Sequence, residues 1–119
     1  MPTDHINSDP SNWDPALDAV IAAPANHRVV YENDRLRVLE VTLEAGAEEP
    51  MHHHRWPSVF VLDPRSDPSL RTGWDDVAQA KEGWDGRGCL VVNMTPQPPT
   101  RVLNASGKAL HGIRVEMKT

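Results

Sequence analysis

Three consecutive histidines, His52, His53 and His54, are the residues of this sequence with the clearest capacity for chemistry. They lie inside the chain and run into the strand-like segment Pro57 to Leu62, which indicates that they belong to the fold. On a β-strand successive side chains point to opposite faces, so His52 and His54 share a face and His53 points away, towards the surface. Imidazoles suit zinc, copper, iron and nickel. The sequence therefore predicts a metal site on His52 and His54.

A third ligand to this site is predicted at His111, in the last strand-like segment of the chain. His111, Ile113, Val115 and Met117 alternate along one face of that segment. If this face points into the fold, His111 reaches the metal. Otherwise, His111 is a core histidine whose ring nitrogens form hydrogen bonds with backbone or side-chain groups. The residue types alone leave both alternatives open.

Residues around the histidine pair are predicted to line a pocket, although plain core packing explains them equally well. Trp56 and Phe60 have the same strand parity as His54 if the strand continues through Pro57. The predicted pocket residues are Met51, Trp56, Ser58, Phe60 and Thr100. Ser58 is not proposed as a nucleophile, because no base pattern accompanies it.

Two further groups are weighed against plainer explanations. Glu48 and Glu49 precede the histidines in a predicted loop, where a solvated acidic segment is expected rather than an acid–base group. The single cysteine, Cys89, excludes an intrachain disulfide and is expected to be a small buried apolar residue. Its isolation fits a reducing compartment.

Length and charge narrow the class of protein. A chain of 119 residues is expected to form one domain. The formal charge of −5 and the absence of a Lys/Arg block argue against nucleic acid and anionic membranes as partners. No apolar run approaches the ~20 residues of a membrane-spanning helix, and no signal peptide is evident at the start. We therefore expect a cytoplasmic protein that binds a small molecule.

Most of the chain reads as short β-strands. One helix is predicted from Asp14 to Pro24, with Leu17, Val20 and Ile21 on its buried face. The predicted strands are His27 to Tyr31, Arg35 to Leu43, Val59 to Leu62, Cys89 to Met94, Arg101 to Asn104 and Leu110 to Lys118. We expect residues 1–26 to form an arm with a short helix, and residues 27–119 a single all-β domain, an antiparallel sandwich or barrel.

The segment from Asp63 to Gly88 has no clear pattern. It holds two Gly-Trp-Asp triplets, at 73–75 and 83–85, which indicate either a hairpin repeat or chance. One or two helical turns are predicted at 75–81.

Two segments together resemble the motifs of a small single-domain cupin. That family's first motif is a glycine, five residues, His-x-His and then a glutamate, and Gly46 with His52 and His54 fits its first part. The second motif is a Pro-rich turn before a histidine, followed by an asparagine four residues later. Here a Pro-rich segment, 96–99, precedes Thr100, and Asn104 follows. The resemblance extends from about residue 27 to residue 116.

The resemblance implies a jelly-roll β-barrel or sandwich, often dimeric, with a metal in the barrel mouth. Two positions depart from the motifs, because the expected glutamate falls at Ser58 or Val59 and the expected second-motif histidine falls at Thr100. Two histidines rarely hold a first-row metal firmly, since protein zinc sites supply three or four ligands. The metal is thus expected to be zinc, nickel, iron or manganese, or to be absent.

Two functions follow as hypotheses. In the first, the protein is a metal-dependent enzyme that acts on a small organic molecule, with His111 completing the site. In the second, it is a small-ligand-binding or sensing module with a degenerate metal site. A homodimer is expected in both, with the N-terminal arm and the strand from His27 to Tyr31 at the contact, because open strand edges tend to be covered.

Overall fold

The computed structural model describes residues 9–63, 84, 87–105 and 107–119. The helical turns predicted at 75–81 lie outside the described residues, as do the two Gly-Trp-Asp triplets apart from Trp84. Among the helices that are described, none is long and apolar enough to span a membrane.

The described residues form seven antiparallel strands. They are β1 (His27–Glu32), β2 (Leu36–Leu43), β3 (Glu48–His54), β4 (Ser58–Leu62), β5 (Leu90–Met94), β6 (Gln97–Leu103) and β7 (Leu110–Met117). One sheet has the order β1-β2-β7-β4-β5, and β3 pairs with β6 in a second. The sheets form a sandwich-like arrangement, so the predicted all-β class with a short N-terminal helix is confirmed.

The hydrophobic core lies between the two sheets. Its strands alternate buried and half-buried residues, as a sheet with one face in the core requires. The core residues are Leu39, Val41, Leu43, Phe60, Leu62, Leu90, Val92, Met94, Val102 and Leu110. A run of four apolar residues, Val59 to Leu62, is typical of a strand buried on both faces, but burial alternates along β4, so only one of its faces lies in the core.

The predicted N-terminal helix is divided into two short turns. A 3₁₀ turn covers Pro15–Leu17, and an α-helix, α1, covers Ala19–Ala22. Asp14 caps the first and Asp18 caps the second, each accepting a backbone N–H two residues on. Restarting the helix at Asp18 changes its phase, so Ile21 is 62% exposed instead of buried.

The last strand turns its polar residues inward. On β7, Gly112, Arg114 and Glu116 are buried, whereas His111 is only half-buried. A Cβ added at Gly112 would lie 2.6 Å from both the Phe60 ring and the carbonyl oxygen of Val61, so β4 can pack closely here only against a glycine. The face of His111 therefore points away from the interior.

Strand β6 begins four residues earlier than predicted. It includes Pro98 and Pro99, in the segment predicted as a turn. Proline donates no hydrogen bond and is tolerated at edges and bulges. Both conditions hold here, because β3 and β6 form a two-stranded sheet whose register shifts twice.

Candidate metal centre

Three buried imidazoles meet inside the sandwich. His27 begins β1, and His52 and His54 lie on β3. One ligand atom from each lies within 4.8 Å of the others, and the three residues are at most 4% exposed. The ring centroids are 4.8–5.2 Å apart. We call these residues the interior cluster.

Each ring of the interior cluster is held through its Nδ1 atom. Nδ1 of His27 lies 3.0 Å from the carbonyl oxygen of Ala23, and Nδ1 of His52 lies 2.7 Å from that of Pro50. Nδ1 of His54 lies 2.7 Å from a carboxylate oxygen of Glu116. Acceptors at these positions require the Nδ1–H tautomer, which leaves the lone pair of each Nε2 available as a metal ligand.

Burial keeps the three imidazoles neutral. It lowers the pKa of His27 to about 3, against a smaller opposing contribution from the Ala23 carbonyl. Burial also lowers the pKa of His52, and it lowers that of His54 well below its ordinary value. Neutral imidazole is the form that binds a metal, so the cluster is ready to bind at physiological pH.

Glu49 lies beside the imidazoles. Its carboxylate oxygens are 3.4 Å from Nε2 of His27 and 4.0 Å from Nε2 of His52. Glu49 is buried, and its Oε1 has no hydrogen-bond partner among the described residues. Burial raises the pKa of Glu49 to about 7, although the nearby Arg114 guanidinium favours the charged form. Such an atom is costly to bury unless it is paired.

Irregular strand pairing brings Glu49 and His52 to the same region. Glu49 pairs with Val102 and His52 pairs with Thr100, so β3 carries one more residue than β6 between these pairs. A bulge of this kind interrupts the alternation of side chains. Residues three apart, which a regular strand would turn to opposite faces, thus lie within reach of each other.

A small cavity lies where the interior cluster meets the hydrophobic core. Its volume is about 10 Å³, and a single water needs about 10–15 Å³ on this measure. Polar side chains of the site and apolar side chains of both sheets line it together. The lining residues are His27, Val41, Leu43, Glu49, His52, His54, Phe60, Val102, Leu110 and Arg114. The cavity thus has the size of one ion or water, not of an organic molecule.

A series of buried hydrogen bonds connects His54 to Asp18. Glu116, whose other carboxylate oxygen binds His54, accepts a hydrogen bond from Nε of Arg37. Nη2 of Arg37 donates to Asp18 Oδ1 at 2.9 Å. All four side chains are buried, so the contacts are little weakened by solvent.

The structure brings His52 and His54 together, as predicted, and places the other predicted histidines elsewhere. His53 points away from the pair but is buried, with Nε2 2.8 Å from the Asp14 carbonyl oxygen and its ring against Trp13. The N-terminal segment therefore covers a histidine that was expected at the surface. His111 lies outside the interior cluster, with Nε2 2.8 Å from a carboxylate oxygen of Glu40.

Of the predicted pocket residues, Phe60 lines the cavity. Ser58 is buried and accepts a hydrogen bond from Nε of Arg114 at 2.9 Å, so it supports a cavity residue without lining the cavity. Met51 is 42% exposed. Thr100 pairs with His52 across the second sheet, and its hydroxyl donates to the carbonyl of the next residue.

Trp56 belongs to a different depression of the surface. It lines a cleft of about 450 Å³ together with Arg55 and Lys118. Guanidinium groups of Arg55 and Arg37 lie 4.4 and 5.0 Å from its ring centroid. The strand does not continue through Pro57, because β3 ends at His54 and β4 starts at Ser58, so strand parity with His54 does not place Trp56 at the cavity.

Sequence reasoning missed two members of the site. The sequence predicts His27 only as a strand residue, whereas the structure places its ring 4.8 Å from that of His52 on β3. Glu49 was assigned to a loop, but it lies on β3 and is buried. A histidine at the start of a strand and an acid near a His-x-His pair were the only available signals. Cys89, expected to be buried, is exposed.

Comparisons with known proteins agree with this architecture. The structure is similar to the crystal structure of a cupin domain from Bordetella pertussis Tohama I, with a TM-score of 0.50 and 20% sequence identity. The match covers 78% of this chain and 92% of that chain. No protein-family model matches the sequence, and no curated protein does. The similarity and the strand arrangement together show that this chain has the cupin fold.

Proposed function

We propose that this protein binds one divalent metal ion on His27, His52 and His54, with Glu49 as an adjacent carboxylate. The observation that carries the proposal is the orientation of the rings. Each Nδ1 is fixed by an acceptor, which leaves each neutral Nε2 with a free lone pair, and the three rings each offer a nitrogen within 4.8 Å of the others at a buried position. Metal-binding histidines commonly have their second nitrogen held in this way.

The surrounding residues fit an ion in that position. Three protein ligands with room for a further group are typical of reactive zinc sites. The unpartnered Oε1 of Glu49 is a buried acceptor, and a cation would satisfy it. The cavity has the volume of one small particle. Imidazole donors favour zinc, nickel or iron, and an added carboxylate also suits manganese.

The site has the parts of a metal-dependent enzyme. A bound ion supplies Lewis-acid chemistry to a group at its open position. Burial raises the pKa of Glu49 to about 7 in the metal-free site, and a bound cation would favour its carboxylate form, which is placed to accept a proton from a group beside the ion. Arg114, held by Ser58 and by Oε1 of Gln97, places a fixed positive charge at the cavity wall. These groups favour small anionic or polarisable substrates, in agreement with the first sequence-based hypothesis.

A metal-free binding module is the weaker alternative. The cavity at the interior cluster is too small for an organic ligand, so nothing larger than a water fits there without movement of the lining. The larger cleft at Trp56 is lined by none of the cluster residues. An enzyme on this scaffold would therefore admit substrate by displacing lining side chains next to the ion.

Thermal denaturation tests the proposal. Protein purified without a polyhistidine tag and dialysed against chelator should melt at a higher temperature when zinc or nickel is added, because a ligand that binds only the folded state stabilises it. A zinc concentration about 100-fold above Kd stabilises by ~2.7 kcal/mol. The double variant His52→Ala/His54→Ala should lose the response. If neither zinc nor nickel changes the melting temperature of the wild type, the proposal is disproved.

A further inference from the structure

The N-terminal segment 14–23 makes three separate contacts with strands β1, β2 and β3, which carry or support the candidate centre. The carbonyl of Ala23 accepts from Nδ1 of His27 at 3.0 Å. The carbonyl of Asp14 lies 2.8 Å from Nε2 of His53. The side chain of Asp18 accepts from Arg37 at 2.9 Å. We call segment 14–23 the clasp.

The third contact reaches the interior cluster through a chain of charged groups. Asp18 binds Arg37, Arg37 binds Glu116, and Glu116 accepts from Nδ1 of His54. The exposed fractions of these side chains run from 12% for Asp18 to 0% for Glu116. A buried carboxylate bonded to a histidine fixes its tautomer and ring orientation. Arg37 in turn fixes the carboxylate and compensates its charge.

The same tautomer serves both the clasp and the ion. His27 presents Nε2 to the cluster only while Nδ1–H points at Ala23. His54 does so only while Nδ1–H points at Glu116, whose position depends on Arg37 and Asp18. An ion that holds Nε2 therefore favours the docked clasp, and the docked clasp favours the ion. Such coupling is reciprocal by thermodynamic necessity.

We propose that the clasp sets the metal affinity of the site, with Asp18 and Arg37 as positioning residues that act on His54 through Glu116. This inference rests on the proposed metal site. It goes beyond it because neither Asp18 nor Arg37 touches the position of the ion, and because it makes docking of the clasp respond to metal.

The most informative variant is Asp18→Asn. Asparagine caps a helix as well as aspartate does, so α1 keeps its cap while the charge that faces Arg37 is lost. Asp14→Asn is the matched control: Asp14 also caps a short turn, its exposed side chain faces no arginine among the described residues, and its contact with His53 is made by the backbone carbonyl, which the substitution keeps. Arg37→Gln is a second variant with a larger expected effect, although it leaves Glu116 without its cation.

Two readouts distinguish positioning from simple structural support. Zinc affinity, measured by competition with a chromophoric chelator, should fall about 10-fold in Asp18→Asn, the low end for groups behind a ligand, and stay within about 2-fold in Asp14→Asn. The zinc-induced rise in melting temperature should be smaller in Asp18→Asn than in the wild type, and unchanged in Asp14→Asn. A merely structural role would lower the melting temperatures with and without zinc equally.

Hydrogen exchange on the wild type tests the reverse direction without any variant. Zinc should slow exchange at the amides of Ile21, Ala22 and Ala23, which bond within the clasp, more than at amides of β5. Equal affinities in the two aspartate variants, or no zinc-dependent protection of these amides, would overturn the coupling while the metal site stands. Absence of zinc binding by the wild type would overturn both.

Discussion

The interior cluster and a surface group formed by His111, Glu40 and Asp63 differ in how the ring nitrogens of their histidines are bound. In the interior cluster, the rings are buried and each Nδ1 is fixed by a carbonyl or carboxylate. In the surface group, Nε2 of His111 faces Glu40 at 2.8 Å and Nδ1 faces Asp63 at 3.7 Å, with 42% of the side chain exposed. Both ring nitrogens of His111 thus face acids of the chain itself. The difference is that Nε2 of His111 is hydrogen-bonded to Glu40, whereas the three interior rings each offer a nitrogen within 4.8 Å of the others, beside the carboxylate of Glu49.

The largest difference is expected when one histidine is removed from each group. His27→Ala should weaken zinc binding by at least about 100-fold, since it deletes one of three ligands. His111→Ala should change zinc affinity by no more than about 2-fold. Isothermal titration of apoprotein with zinc measures both. The comparison fails if the two variants bind alike, or if His111→Ala is the weaker binder.

Acid should destabilise the interior cluster of the metal-free protein. The pKa of His27 is about 3 in the fold and near 6.5 in the unfolded chain, so between these values only the unfolded chain takes up the proton. Stability is therefore lost as pH falls from about 6.5 to about 3, at ~1.4 kcal/mol per pH unit for this one group. His52 and His54, whose pKa values are also lowered, act in the same direction.

Glu49 provides an internal control for this pH dependence. Its pKa is about 7 in the fold against an ordinary 4.5, so the folded protein gains a proton, and stability, as pH falls through that range. Glu49→Gln removes this opposing gain in stability, so the free energy of unfolding of the variant should fall more steeply between pH 6.5 and 4.5 than that of the wild type. Urea denaturation in chelator at several pH values measures the slope. A slope that is flat in the Glu49→Gln variant would contradict the assignment of neutral, buried imidazoles.

Removing the carboxylate of Glu40 from the surface group should have little effect on the stability of the protein. The His111 and Arg28 side chains lower the pKa of Glu40, which binds both. Exposed ion pairs contribute little to stability and are screened by salt. Glu40→Gln should therefore leave the melting temperature at 0.15 M salt nearly unchanged and leave zinc affinity unaltered. A loss of zinc binding in this variant would show that the two groups are connected.

The smallest effect on the metal site is expected from a substitution at the open edge of β1. The inward His27 begins this strand, but Val29, Val30 and Tyr31 are 41–55% exposed, and β1 pairs with β2 alone among the described strands. We propose that this edge joins two copies in a homodimer, since such edges are usually covered. Light scattering should give twice the chain mass, and Val30→Lys should give a monomer with unchanged zinc affinity. A monomeric wild type at micromolar concentration would refute it.

Local patterns in the sequence were enough to predict most strands. The strands at residues 27–32, 36–43, 58–62 and 90–94 were placed to within one or two residues, because alternation and turn residues are local signals. The Gly46 turn before β3, with φ of +77°, was also marked by its residue type. The fold class and the His52–His54 pair follow from such short-range features.

The rest of the site depends on contacts between distant residues. Nothing local indicates that the ring of His27 packs 4.8 Å from that of His52 on β3. The bulge that joins Glu49 to His52 breaks the parity rule on which the loop and strand assignments relied. On β7, apolar and polar residues alternate cleanly, but the polar face is the buried one, because Arg114 and Glu116 have buried polar partners. Parity identifies two faces and cannot say which one is inside.

Anomalous diffraction from crystals of zinc-loaded, untagged protein tests the central claim most directly. Data collected on both sides of the zinc absorption edge should show one peak per chain, about 2.0–2.1 Å from Nε2 of His27, His52 and His54. A peak beside His111 and Glu40, or no peak in a crystal soaked at zinc concentrations that saturate three-histidine sites, would contradict the account.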